Sequence, residues 1–253
     1  MKIIVSGLCG YMGREVAKAA LDSYKGATLV GGIDINASGE TPVPCAKGIE
    51  DARAMFSLEN ADCIIDFSHH SAIAGLLNFA VEKNIPVVVA TTGHDEREKE
   101  LIKKASEKIP VFFSANMSLG VALLASLAKR AASAMPDASI EIIEKHHVRK
   151  LDAPSGTALM LFDEIKKARE ELHAKTGRSG HGKREFSEVG IHAVRMGNIV
   201  GEHEIIIGNG VETITLKHEA HDRALFALGA ISAADFLYKK EAGLYSMHDL
   251  FND

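Results

Sequence analysis

Hydrophobic positions along the first half of the chain fall into two rhythms. Short, mainly apolar runs occur at residues 2–6, 27–33, 63–67, 86–90 and 111–113. Between them apolar residues recur at helical spacing, as in Met12, Val16, Ala19 and Ala20, in a stretch from about Ser71 to Lys83, and in a charged stretch near 95–108. Runs without polar alternation suit strands covered on both faces, so the alternation predicts a parallel sheet wound with helices on both sides, an α/β fold.

After residue 117 the pattern changes. A long apolar helix is predicted from Ser118 to about Ala134, a strand over 139–144, and a helix after Gly156 that runs to about Ala174. Residues 176–184 are rich in glycine and basic residues and read as a loop. Three strand-like segments follow near 189–195, 199–207 and 211–218, the last two joined through Gly208-Asn209-Gly210, a hairpin signal. Strands in hairpin order describe an α+β domain rather than further βαβ units. A helix over 222–238, with Ala224, Leu225, Leu228, Ile231 and Phe236 on one side, should return to the first domain, with Leu244-Tyr245 and Leu250-Phe251 packing the tail. The expected division is therefore 1–117, completed by 222–253, with 118–221 inserted.

At 253 residues, 46% hydrophobic and 25% charged, the chain can bury one large core or two modest ones. A net charge of −5 argues against a nucleic-acid partner. Cys9, Cys45 and Cys63 are odd in number and lack metal-ligand spacing, which fits a reducing compartment. The chain enters its first strand at once, and no apolar run approaches membrane-spanning length, so the cytoplasm is expected, with no membrane partner.

The first chemical signal is Gly7-Leu8-Cys9-Gly10-Tyr11-Met12-Gly13, set between a strand and a helix. Cys9 stands where a strict GxGxxG would place its second glycine, so the match is to GxxGxxG. A strand, a glycine turn and a helix aim backbone N–H groups at a pyrophosphate. Asp34 ends the second strand about 20 residues later, where a dinucleotide fold places the carboxylate that accepts the ribose hydroxyls. Together these predict a Rossmann-type doubly wound sheet, with Gly7, Leu8, Cys9, Gly10, Tyr11, Met12 and Asp34 at the cofactor. In such sheets ligands bind beyond the carboxyl ends of the strands, which adds Ala90, Thr91 and Thr92 and the loop Ser114-Ala115-Asn116-Met117. His69 and His70 are read as structural or solvent-exposed.

The second signal is Glu144-Lys145-His146-His147-Val148-Arg149-Lys150-Leu151-Asp152-Ala153-Pro154-Ser155-Gly156-Thr157-Ala158. Ala158, Leu161, Phe162 and Ile165 have helical spacing, and Ser155 or Thr157 is placed to cap that helix. An uncovered helix start beside a glycine, two imidazoles and three cations is an anion site for a small substrate. The blander alternative is a basic loop before a well-capped helix. No metal is expected, because adjacent histidines in extended chain point apart and no cysteine pair assists.

This stretch resembles the signature of the 4-hydroxy-tetrahydrodipicolinate (dihydrodipicolinate) reductase family, and the resemblance extends over essentially the whole chain. It implies NAD(P)H-dependent reduction of a small dicarboxylate to tetrahydrodipicolinate, on the diaminopimelate route to lysine. It assigns acid/base work to His146, proton donation to Lys150, one carboxylate to His147 and the other to the amides of Gly156 and Thr157. The family's Gly-Thr-Thr-Gly and Ala-Asn-Phe-Ser loops match Ala90–Gly93 and Ala115–Ser118, with Ala90 in place of a glycine and Met117 in place of an aromatic. The resemblance also implies a substrate-binding inserted domain that builds a homotetramer. Asp34 followed by uncharged Ile35 points to NADH as the preferred donor, with NADPH as the lesser one. Two alternatives stand beside this reading: another Rossmann reductase acting on a small anion, and a non-catalytic dinucleotide sensor.

Overall fold

The computed structural model describes residues 1–57 and 60–251. The chain forms two compact units, Met1–Ser118 with Ala224–Asp253, and Leu119–Arg223. The first unit begins with β1 (Lys2–Ser6), α1 (Tyr11–Leu21), β2 (Thr28–Ile33), β3 (Cys45–Ala46), α2 (Ile49–Met55), β4 (Cys63–Asp66), α3 (Ile73–Lys83), β5 (Val87–Val89), α4 (Glu96–Ser106) and β6 (Pro110–Phe113). The second holds α5 (Leu119–Ala134), β7 (Ser139–His146), α6 (Gly156–Lys166), β8 (His173–Thr176), β9 (Glu188–Arg195), β10 (Gly201–Gly208) and β11 (Thr213–Ala220). The chain then completes the first unit with α7 (Ala224–Leu237) and β12 (Gly243–Tyr245).

In the first unit seven strands run in the order β12-β6-β5-β4-β1-β2-β3, every neighbouring pair parallel. The apolar runs fill its centre: Ile4, Ile64, Val87, Val89 and Val111 pack against Ile73, Leu76, Phe79 and Ile102 from the helices. Helix α4 is the most polar, and local chemistry sets its start. Asp95 caps the Glu98 N–H and Glu98 accepts from the Asp95 N–H, a capping box, with Lys103 and Lys104 in the last turn. The strand order reverses between β1 and β4, so a crevice opens beyond their carboxyl ends.

Three elements of this unit are absent from the sequence reading. β3 and α2 lie in the unassigned stretch after Asp34, and the tail expected merely to pack supplies β12, hydrogen-bonded beside β6.

The second unit is a mixed sheet in the order β11-β10-β7-β9-β8. β10 runs antiparallel to both β11 and β7, while β7 and β8 flank β9 in parallel. Strict alternation along β7 and β10 puts Ile140, Ile142, Ile205 and Ile207 on one face, covered by Leu124 and Ala128 of α5 and by Leu161 and Ile165 of α6. The helix predicted to reach Ala174 stops at Lys166. Arg169, Leu172 and Ala168 continue in tight turns, and residues 173–176 leave the helix to pair with β9 as an edge strand. Sheet pairing has overridden the local spacing there.

Candidate active site

The glycine turn leaves β1 at the point where the strand order reverses. Gly7 adopts φ +81°, and a Cβ on it would stand 2.5 Å from the Phe67 carbonyl oxygen, at the end of β4. A Cβ on Gly13 would overlap the Gly7 carbonyl, so α1 can lie this close to the turn only with glycine at position 13. Gly10 is the N-cap of α1 and provides no side-chain cap. The helix start is therefore covered by backbone alone, as an anion cradle requires.

Asp34 closes the cradle on its other side. Its Oδ2 accepts from the Cys9 N–H at 2.9 Å and its Oδ1 from the Asn36 N–H at 2.8 Å. One carboxylate thus ties the glycine loop to the end of β2, and each oxygen keeps a second lone pair. Partial burial, followed by the Asp34 carboxylate, pushes the Cys9 thiol up, so Cys9 lines the loop as a neutral group.

Beyond the strand ends lies a cleft of about 570 Å³, lined in part by Tyr11, Met12, Ala90, Thr91, Thr92, Ala115 and Met117. Its floor is organised by Asp66, which is 1% exposed. The Asp66 carboxylate accepts from the Ser68 hydroxyl at 2.6 Å and the Thr91 hydroxyl at 2.7 Å, fixing two loops from one point. The 114–118 loop is locked internally: the Ser114 hydroxyl donates to the Asn116 carbonyl, and the Asn116 side chain accepts from the Ser118 N–H. Gly7, Leu8, Cys9, Gly10, Asp34, Ser114 and Asn116 do not line this cleft; the first five form the cradle, and the last two brace the loop that carries Ala115 and Met117. His69 and His70 do border it, although the sequence set them apart. His69 caps the turn at Ser71, and His70 contacts Glu98 of α4 at 2.8 Å. Phe226 of α7 also lines the cleft, and nothing in its local sequence marks it.

The second unit assembles the other group of predicted residues. Along β7 the buried face that begins with Ile140 and Ile142 continues into Glu144 and His146, so period-two alternation carries a carboxylate and an imidazole into the protein. Glu144 is fully buried. Its Oε2 contacts His146 Nδ1 at 2.6 Å and accepts from Arg195 at 2.8 Å; its Oε1 accepts from the other Arg195 nitrogen at 2.8 Å and from the Ser155 N–H at 3.0 Å. Burial pushes this carboxyl up, but Arg195, His146 and the Ser155 amide more than reverse it and hold it below the usual range. An ionised carboxylate only accepts, so His146 bears a proton on Nδ1.

Ser155 caps α6 by accepting from the Ala158 N–H at 3.1 Å, and its hydroxyl lies 3.2 Å from His203 Nε2. Burial, then the nearby His146, pushes the His203 imidazole down to about 4, so it is neutral at ordinary pH. The space beside Gly156 is open: a Cβ there would meet nothing within 4 Å. Lys150 places its ammonium 2.8 Å from Asp152, and that contact comes first in holding Asp152 below the usual carboxylate range. His147 lies 3.3 Å from Arg223, which only donates, so Nε2 accepts and the proton is on Nδ1, a buried atom without a hydrogen-bond partner. Desolvation, followed by Arg149 and Arg223, keeps this imidazole below its ordinary value, a neutral donor.

Comparison with known proteins then decides the family. The profile described as dihydrodipicolinate reductase, N-terminus, matches residues 1–117, and that described as dihydrodipicolinate reductase, C-terminus, matches 120–251. This chain belongs to the dihydrodipicolinate reductase family. A 4-hydroxy-tetrahydrodipicolinate reductase from Caldanaerobacter subterraneus subsp. tengcongensis is 43% identical over 99% of this chain and 98% of its own length. One from Clostridium novyi is 41% identical over 98% of this chain and 97% of its own. Among solved structures, the dipicolinate-bound dihydrodipicolinate reductase from Paenisporosarcina sp. TG-14 shares the fold, with a TM-score of 0.81 and 22% identity over 97% of each chain. Membership in this reductase family removes the dinucleotide-sensor reading and implies use of NAD(P)H.

The family signature explains why His146, His147, Lys150 and the start of α6 are contiguous. It does not contain Arg195 or His203, which join the same network from β9 and β10. The sequence reading missed both, because each stands far along the chain from the motif it touches. Among the described residues no helix is long and apolar enough to cross a membrane, and no group of three or more His, Cys, Asp and Glu is placed to hold a metal ion.

Proposed function

We infer that this chain reduces 4-hydroxy-tetrahydrodipicolinate, or the dihydrodipicolinate formed from it by loss of water, to tetrahydrodipicolinate, with NADH as the preferred donor. The observation that carries this reading is the Glu144 carboxylate, which binds the His146 ring with one oxygen and the amide at the start of α6 with the other. It holds an acid/base group and an anion-binding helix terminus to one point, as reduction of a ring bearing carboxylates requires.

The cradle of the first unit fits a dinucleotide. Gly7, Gly10 and Gly13 leave the start of α1 to backbone amides, and Asp34 offers two carboxylate oxygens to a ribose. Bound there, a nicotinamide supplies the hydride. Thr91, Thr92, Ala115 and Met117 shape the cleft for its ring. In the second unit, His147 holds one substrate carboxylate, and the amides of Gly156 and Thr157 receive the other. Reduction leaves electron density on the ring that a proton must quench. Lys150 is the donor, and His146, with Nδ1 committed to Glu144, exchanges protons through Nε2.

The same reading places the chain in the cytoplasm as a homotetramer built through the five-stranded sheet. Ile143, Val194 and Ile206 support the assembly, since they point away from the helix-covered face and are not buried.

Pyridine-2,6-dicarboxylate, a planar dicarboxylate, tests the anion site directly. It should inhibit competitively with the substrate, and His147→Ala should weaken it about tenfold, as expected for one lost charge-assisted hydrogen bond. Absence of binding by calorimetry would remove the substrate assignment.

A further inference from the structure

The network behind His146 contains more than the reaction needs for proton transfer itself. Glu144 pairs in register with His203 on β10 and Ala193 on β9, while His146 pairs with Arg195, so three strands deliver one carboxylate, two imidazoles and one guanidinium to a single buried spot. Arg195 grips both Glu144 oxygens and donates to the Asp152 carbonyl at 2.6 Å. Asp152 belongs to the turn that leads into Ser155 and α6. The start of α6 and the turn before it are therefore connected to the His146 ring through Glu144 and Arg195.

We propose that Glu144 and Arg195 are positioning residues of this reaction. The Glu144 carboxylate holds the His146 ring with its proton on Nδ1, and through the Ser155 amide it sets the start of α6. Arg195 neutralises that carboxylate and fixes the Asp152 turn. Neither side chain touches the reacting atoms; together they keep the proton-exchanging nitrogen and the carboxylate-binding amides in one fixed relation. A bidentate guanidinium suits this task because it fixes direction as well as charge. Gly201 completes the arrangement: a Cβ there would come 3.1 Å from His146 Nε2, a tight contact that would press on the nitrogen left for exchange.

The inference rests on the reading above, and its test separates the two. In histidine-labelled wild-type protein above pH 8, long-range nitrogen–proton NMR should show His146 as the Nδ1–H tautomer, a measurement that needs no substrate. A dominant Nε2–H tautomer overturns the proposal. In Glu144→Gln, that tautomer preference should be lost, kcat should fall at least tenfold, and affinity for pyridine-2,6-dicarboxylate should fall at least fivefold, with NADH affinity unchanged. Arg195→Lys keeps the charge without the two-pronged grip and should lose less, about threefold to fivefold in kcat. A merely structural role would lower the melting temperature and leave tautomer, kcat and analogue affinity within twofold of wild type, and that result also overturns it. Should Glu144→Gln fail to fold, the wild-type tautomer and the Arg195→Lys kinetics decide. If the wild type shows the Nδ1–H tautomer yet does not reduce the substrate, the functional reading fails and the positioning geometry stands.

Discussion

The carbonyl of Met117 packs directly onto the bare Cα of Gly229, leaving no room for even a methyl group. Met117 is 2% exposed and lines the cleft beyond the strand ends, so α7 sets the position of the loop through this one glycine. Gly229→Ala must push backbone against backbone, which cannot yield as a side chain can. We expect a loss of roughly 2–3 kcal/mol in stability and weaker NADH binding. A thermal melt with a fluorescence titration of NADH checks both, and a variant with wild-type values would show that the loop moves freely.

His146 and Lys150 should be separable from cofactor recognition. Replacing either by Ala is expected to lower kcat roughly 100-fold, with the dissociation constant for NADH little changed. Steady-state kinetics beside direct NADH titration provides the comparison. Near-normal turnover in both variants would remove their assigned roles.

Stability of the second unit should depend on pH through His203. Its folded-state value is depressed from 6.5 to about 4, so the unfolded chain binds the proton more readily between those limits. The contribution is fully present above pH 6.5 and is lost as pH falls toward 4, for a total of roughly 3 kcal/mol. Glu144, also depressed, adds to the loss at more acidic pH, again because its stabilisation vanishes on protonation. The melting temperature should fall between pH 7.5 and 4.5, and His203→Gln should flatten that slope. Equal slopes in the two proteins would contradict the assignment.

A preference for NADH is predicted from Asp34 and Ile35. The carboxylate suits ribose hydroxyls and repels a 2′-phosphate, and Ile35 is 82% exposed without charge. Arg14 is the cation close enough to act on Cys9 in the glycine loop, and a long side chain of this kind can turn toward a phosphate. NADH should be preferred, and Ile35→Arg should improve KM for NADPH more than for NADH. A wild-type preference of tenfold for NADPH would show that Arg14, or another cation, already reaches the 2′ position.

The fold was legible wherever one element produced its own pattern. Unbroken runs such as Ile64-Ile65 and Val87-Val88-Val89 could only be covered strands, and Ser155 before Ala158 and Leu161 announced α6. Elements held by tertiary pairing were not legible. β3 has two residues and β12 three, with Leu244 of β12 half exposed, so neither generates a hydrophobic run. Beyond Ile165, Arg169 and Leu172 keep helical spacing although the chain has turned away to reach β9. The site divides in the same way. Residues 144–157 suggested an anion site because their charges lie close together along the chain, whereas Arg195 stands between exposed Val194 and Met196 and gave no sign that it reaches a buried carboxylate 51 positions away.

The reaction itself is tested most directly by oxidation of NADH or NADPH followed at the absorbance of the reduced nicotinamide. The substrate is made in place from pyruvate and aspartate semialdehyde by the preceding synthase, and the product mass is read at the end. Cofactor oxidation should require both substrate precursors, yield tetrahydrodipicolinate in equal amount, and not occur with simple 2-oxo acids. Oxidation with 2-oxo acids alone, or none with the dicarboxylate, would contradict it.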